Sequence, residues 1–282
     1  MPRTDRAADL ELALNATRAA GRLVMETFGT DPEVRHKSPD QPVTEADLGA
    51  DALLMERLLG ARPDYGWLSE ETVDRPERLS RSRAWVVDPV DGTRSFIAGY
   101  PEFAVSVGLV EDGEPVVGVI FNPARNELFW ALRGGGAFGN RGVAGGQERL
   151  RIAEAKEARP SLLASRSEIG RGEFEPFVEA HDLLEVGSTA YKMAGVAAGD
   201  GDGFLSRGPK SEWDVAAGAL IVEEAGGTVT DLNGRRLRFN RPDPYVHGIL
   251  AAAPALHAAL LARVGGLKWP RLRGVEPEDG GE

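Results

Sequence analysis

An apolar run that leads directly into two aspartates, at residues 85–93, constrains this chain more than any other feature. Residues 85–87 are Trp-Val-Val, the composition of a buried β-strand. Pro89 holds Asp88 extended and cannot continue the strand pairing, because proline lacks a backbone N–H. Asp91 follows three residues after Asp88, so we expect a tight turn that points both carboxylates at one place. The segment predicts a buried strand that ends in a pair of converging acids.

The residues beside this pair also suit an anionic ligand. Gly92 leaves room for a ligand to approach the backbone, and residues 94–97 are expected to open a short helix whose free N–H groups suit a phosphate. Aspartate is equally an ordinary turn residue, so the segment alone leaves a purely structural interpretation open.

Acidic residues recur at three further places, and each has a structural explanation of its own. Glu70 and Glu71 end a second short apolar run, which is also typical of a solvated loop. Asp47 lies three residues after Thr44, close to the spacing of a helix capping box. Asp214 lies at the start of a predicted helix, where aspartate is a common N-cap. The set of motifs, rather than any one of them, carries the functional signal.

The charge balance narrows the classes of partner. With 33 basic and 44 acidic residues the formal net charge is −11, which argues against binding a nucleic acid polymer. A metal ion can still supply the local positive charge that a small anionic substrate needs. The absence of cysteine excludes disulfides, thiolate metal sites and a cysteine nucleophile, and the four histidines show no metal-ligand spacing.

No apolar stretch of the sequence resembles a signal peptide or a membrane span, and the first thirty residues carry several charges. We therefore expect a cytoplasmic protein that does not bind a membrane. Its 282 residues suffice for one large domain or for two modest ones that share a core.

Hydrophobic periodicity and turn residues predict the order of helices and strands. The first half is expected to hold helices at 5–28 and 44–59 and strands at 34–37, 85–87, 104–110, 116–121 and 128–132. In the second half, strands at 162–164, 183–186, 203–205 and 228–230 alternate with helices at 173–180, 189–198, 215–225 and 255–263. This alternation is typical of an α/β arrangement. We place an α+β half at 1–145, an α/β half at 146–268 and a mobile tail at 269–282.

Five motifs occur along the chain: Val-Thr-Glu-Ala-Asp at 43–47, Ser-Glu-Glu-Thr at 69–72, Asp-Pro-Val-Asp-Gly-Thr at 88–93, Trp-Asp-Val-Ala-Ala-Gly at 213–218 and Glu-Glu-Ala-Gly-Gly at 223–227. Together they resemble the inositol monophosphatase superfamily of lithium-sensitive, magnesium-dependent phosphatases, roughly over residues 7–265. The resemblance implies a layered αβαβα sandwich. It also implies that the first half carries most metal ligands, while the second carries Asp214 and the residues that select the substrate.

The resemblance implies magnesium as the cofactor, with two or three ions held by Glu70, Asp88, Asp91, Asp214 and the Val90 carbonyl. Elementary electrostatics agrees, because one pair of carboxylates at roughly 4 Å costs about 4 kcal/mol at an effective dielectric of about 20. Hard divalent cations relieve this repulsion, and ligands that are all oxygens favour magnesium over zinc.

By the same resemblance the catalytic residues are Glu70, Thr93 and Asp47. Glu70 and Thr93 would orient or deprotonate the attacking water, and Asp47 would hold the Thr93 hydroxyl. The amides of Gly92 and Thr93 would bind phosphate oxygens. The ions would hold the phosphate for in-line attack by water, without a covalent phosphoenzyme.

The expected partner is a small phosphorylated metabolite, and two basic residues indicate which kind. Lys192 follows the Gly-Ser pair at 187–188, and Arg207 lies seven residues before Asp214; inositol monophosphatases usually have acids at both positions. Ser188 and Lys192 resemble the residues with which 3′(2′),5′-bisphosphate nucleotidases meet the nucleotide. A bisphosphate brings a second anion, which suits lysine and arginine.

At two further places the sequence differs from that of inositol monophosphatases, and these differences concern the choice of substrate rather than the metal ligands. Ser69 stands where inositol monophosphatases usually have glycine, and Arg-Ser-Phe at 94–96 replaces Thr-Asn-Phe. Adenosine 3′,5′-bisphosphate is therefore the leading substrate, with inositol 1-phosphate, histidinol phosphate and fructose 1,6-bisphosphate as alternatives. Lys192, Arg207 and the nearby Lys210 are also compatible with solvated surface charges, and a non-catalytic regulator on the same fold stays open. A homodimer is one expected oligomeric state.

Overall fold

The computed structural model describes residues 3–30, 33–38, 41–142, 146–153 and 159–267; the expected tail at 269–282 and the expected boundary at residue 145 lie outside them. The helices are α1 (Arg3–Met25), α2 (Glu45–Ala61), α3 (Thr93–Ile97), α4 (Arg166–Gly170), α5 (Thr189–Ala198), α6 (Glu212–Glu224) and α7 (Pro254–Gly265), with a 3₁₀ helix at Pro76–Ser80. The strands are β1 (Val34–Ser38), β2 (Gln41–Thr44), β3 (Gly66–Ser69), β4 (Arg83–Asp91), β5 (Ala104–Glu111), β6 (Glu114–Asn122), β7 (Glu127–Leu132), β8 (Gly136–Arg141), β9 (Glu148–Arg149), β10 (Ser161–Ala164), β11 (Asp182–Glu185), β12 (Gly203–Ser211), β13 (Thr228–Thr230) and β14 (Tyr245–Ala252). Within the described ranges, no helix combines the length and the hydropathy that crossing a membrane requires.

A seven-stranded sheet, in the order β3-β4-β5-β6-β7-β8-β9, forms the larger of the two main layers of strands. Helices α1 and α2 pack on one of its faces. The face of α1 that meets the sheet carries small or branched residues at helical spacing: Ala13, Ala16, Ala20 and Val24. All four are buried, so their removal from water stabilises the contact between helix and sheet.

Helices α5 and α6 form the middle layer, between this sheet and a second sheet of five strands in the order β11-β10-β12-β14-β13. Every residue of α6 from 215 to 222 is buried. A helix that is apolar all round is typical of such an enclosed position. Gly118 on β6 permits the close approach of α6, because a Cβ there would lie 2.6 Å from the Ala217 carbonyl oxygen.

Helix α7 and a series of turns cover the outer face of the second sheet. The layers therefore run helix, sheet, helix, sheet, helix, and the predicted αβαβα sandwich is confirmed. Because α6 comes from the second half of the chain and packs on the sheet of the first, the two halves share a core. The first sheet continues to β9, past residue 145, and the division into two halves stays a prediction.

The predicted helix at residues 173–180 is wrong, because this segment is a run of turns. Its backbone bonds join residues three apart, as where the Phe177 N–H donates to the Phe174 carbonyl at 2.8 Å. Pro176 explains the difference, since proline lacks the N–H and restricts the residue before it. Phe174 and Phe177 are both buried in the core of the second sheet. Because buried apolar residues three apart are also typical of a helix, the sequence pattern predicted one here.

Five strands, β2, β3, β8, β9 and β14, have no counterpart among the predicted strands, and β8 and β14 are the longest of them. β8 lies in the glycine-rich stretch in which the boundary is expected, yet it pairs along its whole length with β7. β14 has no counterpart among the predicted elements, and it lies between β12 and β13 in the second sheet. Both strands contain glycines, which weaken the local strand signal, and pairing with neighbours overrides that weak propensity.

Candidate active site

An irregularity in β4, and not the predicted tight turn, brings the first two aspartates together. Asp88 pairs with Ser106 and Asp91 with Ala104, so three residue steps on β4 oppose two on β5. Such a bulge redirects side chains without ending the strand. The Val90 N–H donates to Asp88 Oδ1 at 2.9 Å inside the bulge.

Asp214 joins these aspartates from the middle layer. It is the third residue of α6, and its Oδ2 accepts a hydrogen bond from the Ser211 N–H at 3.3 Å, so it also caps that helix. One carboxylate oxygen each from Asp88, Asp91 and Asp214 lie within 4.8 Å of one another. The structure thus brings together three of the four acids that the resemblance assigns to magnesium.

The three aspartates are buried close together, and the repulsion between their carboxylates favours binding of a cation. Burial raises the pKa of Asp88 and of Asp214 well above the usual range, and neighbouring carboxylates raise both further. Burial also raises the pKa of Asp91, although hydrogen bonds from Ser188 and Ala190 partly offset the increase. A hard divalent cation relieves this repulsion, and a donor set of carboxylate oxygens fits magnesium.

Ser188 supports Asp91 from the start of α5. Its Oγ donates to Asp91 Oδ2 at 2.5 Å and accepts from the Tyr191 N–H at 3.0 Å. The Ala190 N–H donates to the same Asp91 oxygen at 2.5 Å. Ser188 has a φ of 60°, a left-handed conformation that costs a residue other than glycine about 1–3 kcal/mol. The hydroxyl predicted to bind substrate is therefore engaged in orienting Asp91.

Glu70 lines the same cavity as the aspartates but lies outside their group of three. Lys37 Nζ donates to Glu70 Oε1 at 3.1 Å and to Glu71 Oε1 at 2.8 Å. Burial raises the pKa of Glu70, and Lys37 offsets part of the increase; burial raises the pKa of Glu71 to about 7. Lys37, which no sequence motif indicates, supplies positive charge on this side, and the role of Glu70 as a metal ligand stays a prediction.

Thr93 and Asp47 are in direct contact. Thr93 Oγ1 lies 3.0 Å from Asp47 Oδ1 and 3.1 Å from the Val90 carbonyl oxygen, so its proton has two acceptors. The other carboxylate oxygen, Asp47 Oδ2, accepts from the Thr44 N–H at 2.8 Å and from the Thr44 hydroxyl at 2.5 Å. Burial raises the pKa of Asp47, and these hydrogen bonds offset only part of the increase. Asp47 therefore caps α2 with one oxygen and holds Thr93 with the other.

Two glycines let chain segments approach each other at the floor of the cavity. Gly92 has a φ of 99°, and a Cβ there would lie 3.0 Å from the Glu102 carbonyl oxygen. A Cβ at Gly187 would lie 2.6 Å from the same oxygen. A Cβ at Gly92 would also lie 3.2 Å from Ser188 Cβ, so a side chain there would separate the start of α3 from the start of α5. The assignment of the Gly92 and Thr93 amides to phosphate binding stays a prediction.

Two lysines, called here the lysine pair, line the same cavity of about 440 Å³ as the acids. Lys192 on α5 is 2% exposed, and its Nζ donates to the Val186 carbonyl at 3.3 Å and lies 5.4 Å from the centre of the Phe204 ring. Lys210 on β12 donates to Glu168 Oε1 at 3.0 Å. Burial lowers the pKa of Lys192 to about 8. Lys192 is therefore a buried cavity residue and not a solvated surface charge.

Glu168 is the counterion of the lysine pair, and sequence reasoning missed it. It is 1% exposed, and the hydroxyls of Ser165 and Ser206 each donate to its carboxylate at 2.6 Å. Burial opposes its ionisation, but Lys210, Lys192 and the two serine hydroxyls together lower the pKa of Glu168 to about 2. Burial lowers the pKa of Lys210, but Glu168, Asp214 and Asp91 together raise it above the usual value, so that Lys210 stays charged. The sequence signal for Glu168 is its place directly after Ser-Arg-Ser at 165–167.

Arg207 is not among the described residues that line the cavity. It follows Ser206, whose hydroxyl points to Glu168, and successive residues of a strand alternate between its two faces. Lys210, further along β12, contacts Glu168 through its Nζ, which lies 3.0 Å from Glu168 Oε1. The structure therefore places Lys210, and not Arg207, at the cavity wall, and substrate contact by Arg207 stays a prediction without geometric support.

The outer rim of the cavity combines an exposed aromatic ring with a guanidinium group. The Arg166 guanidinium carbon lies 4.5 Å from the centre of the Tyr100 ring, and Arg166 Nη1 donates to Glu102 Oε2 at 2.6 Å. Tyr100 is 47% exposed, so much of its ring meets solvent at the cavity mouth. This rim presents flat surfaces and a positive charge together.

Comparison with known proteins identifies the family. Residues 5–267 match the model of the Inositol monophosphatase family. The chain belongs to the inositol monophosphatase family. An inositol-1-monophosphatase of Mesorhizobium japonicum is 39% identical to it over 240 residues, which are 81% of this chain and 87% of that protein. Members of the family are magnesium-dependent phosphomonoesterases, and this inositol monophosphatase family member is an enzyme of that class.

Solved structures of the family share the fold. The extragenic suppressor protein suhB from Bartonella henselae superposes with a TM-score of 0.80 at 31% identity, covering 92% of this chain and 99% of that chain. CysQ from Bacteroides thetaiotaomicron superposes with a TM-score of 0.73 at 29% identity, covering 87% and 97%. These matches establish the fold, and the choice of phosphate ester depends on the residues that line the cavity.

Proposed function

We propose that this enzyme hydrolyses a small substrate that carries a second anionic group beside the scissile phosphate, with adenosine 3′,5′-bisphosphate as the leading candidate. Water attacks the 3′ phosphorus, the bond between that phosphorus and the ribose oxygen breaks, and AMP and phosphate leave. The observation that supports this choice is the lysine pair, Lys192 and Lys210, which reaches the acidic cavity from two different elements. The proposal places the reaction in the cytoplasm.

The proposed metal ligands are Asp88, Asp91, Asp214, Glu70 and the Val90 carbonyl. Bound magnesium would neutralise the phosphate and lower the pKa of a water molecule. The chain itself holds the acids in place, since Ser188 binds Asp91 and Ser211 binds Asp214. Such fixed acids do not have to reorganise during the reaction.

Thr93 and Asp47 orient the attacking water in this proposal. When the Thr93 hydroxyl donates to Asp47, the lone pairs of its oxygen can accept a hydrogen bond from water. That bond directs a lone pair of the water toward phosphorus. Glu70, whose carboxylate lines the same cavity, accepts the proton that the water loses.

The lysine pair suits a second anion because its charge is only partly compensated. Lys192 donates to Val186 among the described residues, and an ammonium group has three donors. Lys210 stays charged beside Glu168, the one carboxylate that forms an ion pair with either lysine among the described residues. A phosphate can accept charge-assisted hydrogen bonds from such a pair. The ring of Tyr100 and the guanidinium of Arg166 at the rim suit a planar base.

Lys192→Ala is expected to lower kcat/KM for adenosine 3′,5′-bisphosphate roughly ten- to a hundredfold, because a charge-assisted contact contributes about 1.5–3 kcal/mol. The same variant should barely affect inositol 1-phosphate, which lacks the second anion. Arg207→Ala is the matched control, since it removes a cation that lies on β12 close to Lys210 but does not line the cavity. Phosphate release is measured on both substrates, on histidinol phosphate and on fructose 1,6-bisphosphate.

Equal losses on the two main substrates would contradict the assignment of Lys192 to a second anion. A wild-type enzyme that prefers inositol 1-phosphate would contradict the nucleotidase assignment itself. A loss in Arg207→Ala as large as that in Lys192→Ala would restore the sequence-based role of Arg207.

The preference for a bisphosphate is expected to decrease as the pH rises through about 8. Burial lowers the pKa of Lys192 to about 8, so its ammonium is charged below that pH and neutral above it. The measured quantity is kcat/KM for adenosine 3′,5′-bisphosphate divided by kcat/KM for inositol 1-phosphate, because the ratio cancels the pH dependence that both reactions share. A ratio that does not change with pH, or that changes equally in Lys192→Ala, would refute this prediction.

Inositol 1-phosphate is the second candidate substrate, because the Mesorhizobium relative is named an inositol-1-monophosphatase. A polyol offers hydroxyl groups, which suit acidic partners, whereas this part of the cavity presents the lysine pair. The four-substrate panel distinguishes the two candidates directly.

A further inference from the structure

Helix α2 contacts two separate segments of the active site through two carboxylates that lie one turn apart. Asp47 holds Thr93, and Asp51 lies four residues further along, on the same side of the helix. Asp51 is 7% exposed, and its carboxylate accepts hydrogen bonds from the hydroxyls of Ser69 and Thr72, the latter at 2.5 Å. No sequence motif assigns a role to Asp51.

The two hydroxyls that bind Asp51 flank Glu70 and Glu71 in the chain. Ser69 ends β3, and its Oγ donates to Asp51 Oδ1 and lies 3.5 Å from the Glu71 nitrogen, which donates to it. Thr72 follows Glu71 directly and donates to Asp51 Oδ2. One buried carboxylate therefore holds both ends of the two-residue acidic segment.

We propose that Asp51 is a positioning residue that places the Glu70 carboxylate for metal binding. The proposal rests on the proposed role of Glu70 as a metal ligand and is independent of which phosphate ester is the substrate. Ser69 supplies one of the two hydroxyls, and the glycine usual at that position in inositol monophosphatases has no hydroxyl to donate to Asp51.

The position of Glu70 explains why such a contact matters. Glu70 lies outside the group of three aspartates, and its carboxylate is bound by Lys37 on β1. The Glu70 N–H donates to the Val87 carbonyl at 3.3 Å, which ties only the start of the segment to β4. Ordering a loop costs conformational entropy, which weakens metal binding unless the fold has already ordered that loop. Asp51 supplies this order from the opposite side of the segment.

Asp51→Asn tests the proposal, because the change removes the negative charge that both hydroxyls bind and leaves one acceptor oxygen where the carboxylate has two. We expect the Kd for Mg²⁺ to rise roughly tenfold, because replacing a residue that holds a metal ligand in place typically weakens metal binding about ten- to a hundredfold. Calorimetric titration of the metal-free protein measures this Kd. At saturating magnesium kcat should recover toward the wild-type value. Thr72→Val should also weaken magnesium binding, and Thr72→Ser, which keeps the hydroxyl, should not.

Asp202→Asn is the matched control, because Asp202 accepts from the Ser161 N–H at 2.7 Å and hydroxyl at 2.8 Å and does not line the cavity. If Asp51→Asn and Asp202→Asn both lower Tm and leave the Kd for Mg²⁺ unchanged, Asp51 is structural and the proposal is overturned. If Asp51→Asn does not fold, equal magnesium affinities of Thr72→Val and Thr72→Ser overturn it. Glu70→Gln tests the proposed metal-ligand role of Glu70 separately from the positioning role of Asp51. Wild-type magnesium affinity in that variant would refute the ligand role of Glu70.

Discussion

Asp88→Asn is expected to lower kcat by about three orders of magnitude or more while the protein stays folded. Asp88 is 1% exposed and belongs to the group of three aspartates, so the change removes one anion from the centre of the proposed metal site. A catalytic metal contributes several kcal/mol of transition-state stabilisation, and about 1.4 kcal/mol corresponds to a tenfold change in rate. Phosphate release at saturating magnesium measures the rate, and circular dichroism measures folding. Near-normal turnover would rule out Asp88 as a metal ligand.

Without magnesium, the same variant should be at least as stable as the wild type near neutral pH. Burial raises the pKa of Asp88 in the folded protein, so the folded state binds a proton there more tightly than the unfolded chain does. The resulting stabilisation is fully present below the unfolded pKa and is lost as the pH rises through the folded pKa. We therefore expect the metal-free wild type to lose more stability than Asp88→Asn between acid and neutral pH. Urea unfolding at several pH values measures the difference, and Asp200→Asn is a surface control.

Thr93→Ala is expected to lower kcat about 10²- to 10⁴-fold with little change in KM, because a positioned proton-transfer group typically contributes that much. The Thr93 hydroxyl is the group that links Asp47 to the attacking water in the proposed mechanism. Thr93→Ser keeps this hydroxyl and should retain most of the activity. A Thr93→Ala enzyme that loses affinity for substrate but keeps kcat would show that Thr93 binds the substrate and does not act on the water.

Asp47→Ala should show two losses, because the two oxygens of this carboxylate have different partners. Loss of the contacts with Thr44 removes a helix cap and should cost about 1 kcal/mol of stability. Loss of the contact with Thr93 should lower kcat as much as Thr93→Ala does, and the double variant should lose little more. Melting and kinetics measured on the same protein separate the two effects. A lower Tm with an unchanged rate would mean that Asp47 is only a cap.

Local patterns and motif order were sufficient for several conclusions. The apolar run before Asp88 predicts the buried strand β4, since its side chains must leave water whatever the rest of the chain does. The five motifs predict the layered fold, the family and the class of reaction. These features depend on residue type and near-neighbour spacing, which the chain carries in its sequence.

Those local patterns could not predict contacts between distant segments of the chain. Asp51 is 18 residues from Ser69, and Lys37 is 33 residues from Glu70, with other elements between them. Glu168 and Lys210 are 42 residues apart in the chain and meet only in the folded protein. No period or motif indicates such pairs, because their distances depend on how whole layers pack.

Arg207 and Lys210 on β12 also show the difference between what the sequence predicts and what the fold decides. Both are cations on β12, three residues apart, and the sequence spacing favours Arg207 by analogy with an acid in related enzymes. In the folded chain Lys210 contacts Glu168 and lines the cavity, and Arg207 is not among the described residues that line it. The sequence by itself determined which residue types the chemistry requires and on which elements most of them lie. Only the tertiary structure decided which of them meet, because a one-residue irregularity in strand pairing, such as the one between Asp88 and Asp91 in β4, redirects side chains without leaving a pattern in the sequence.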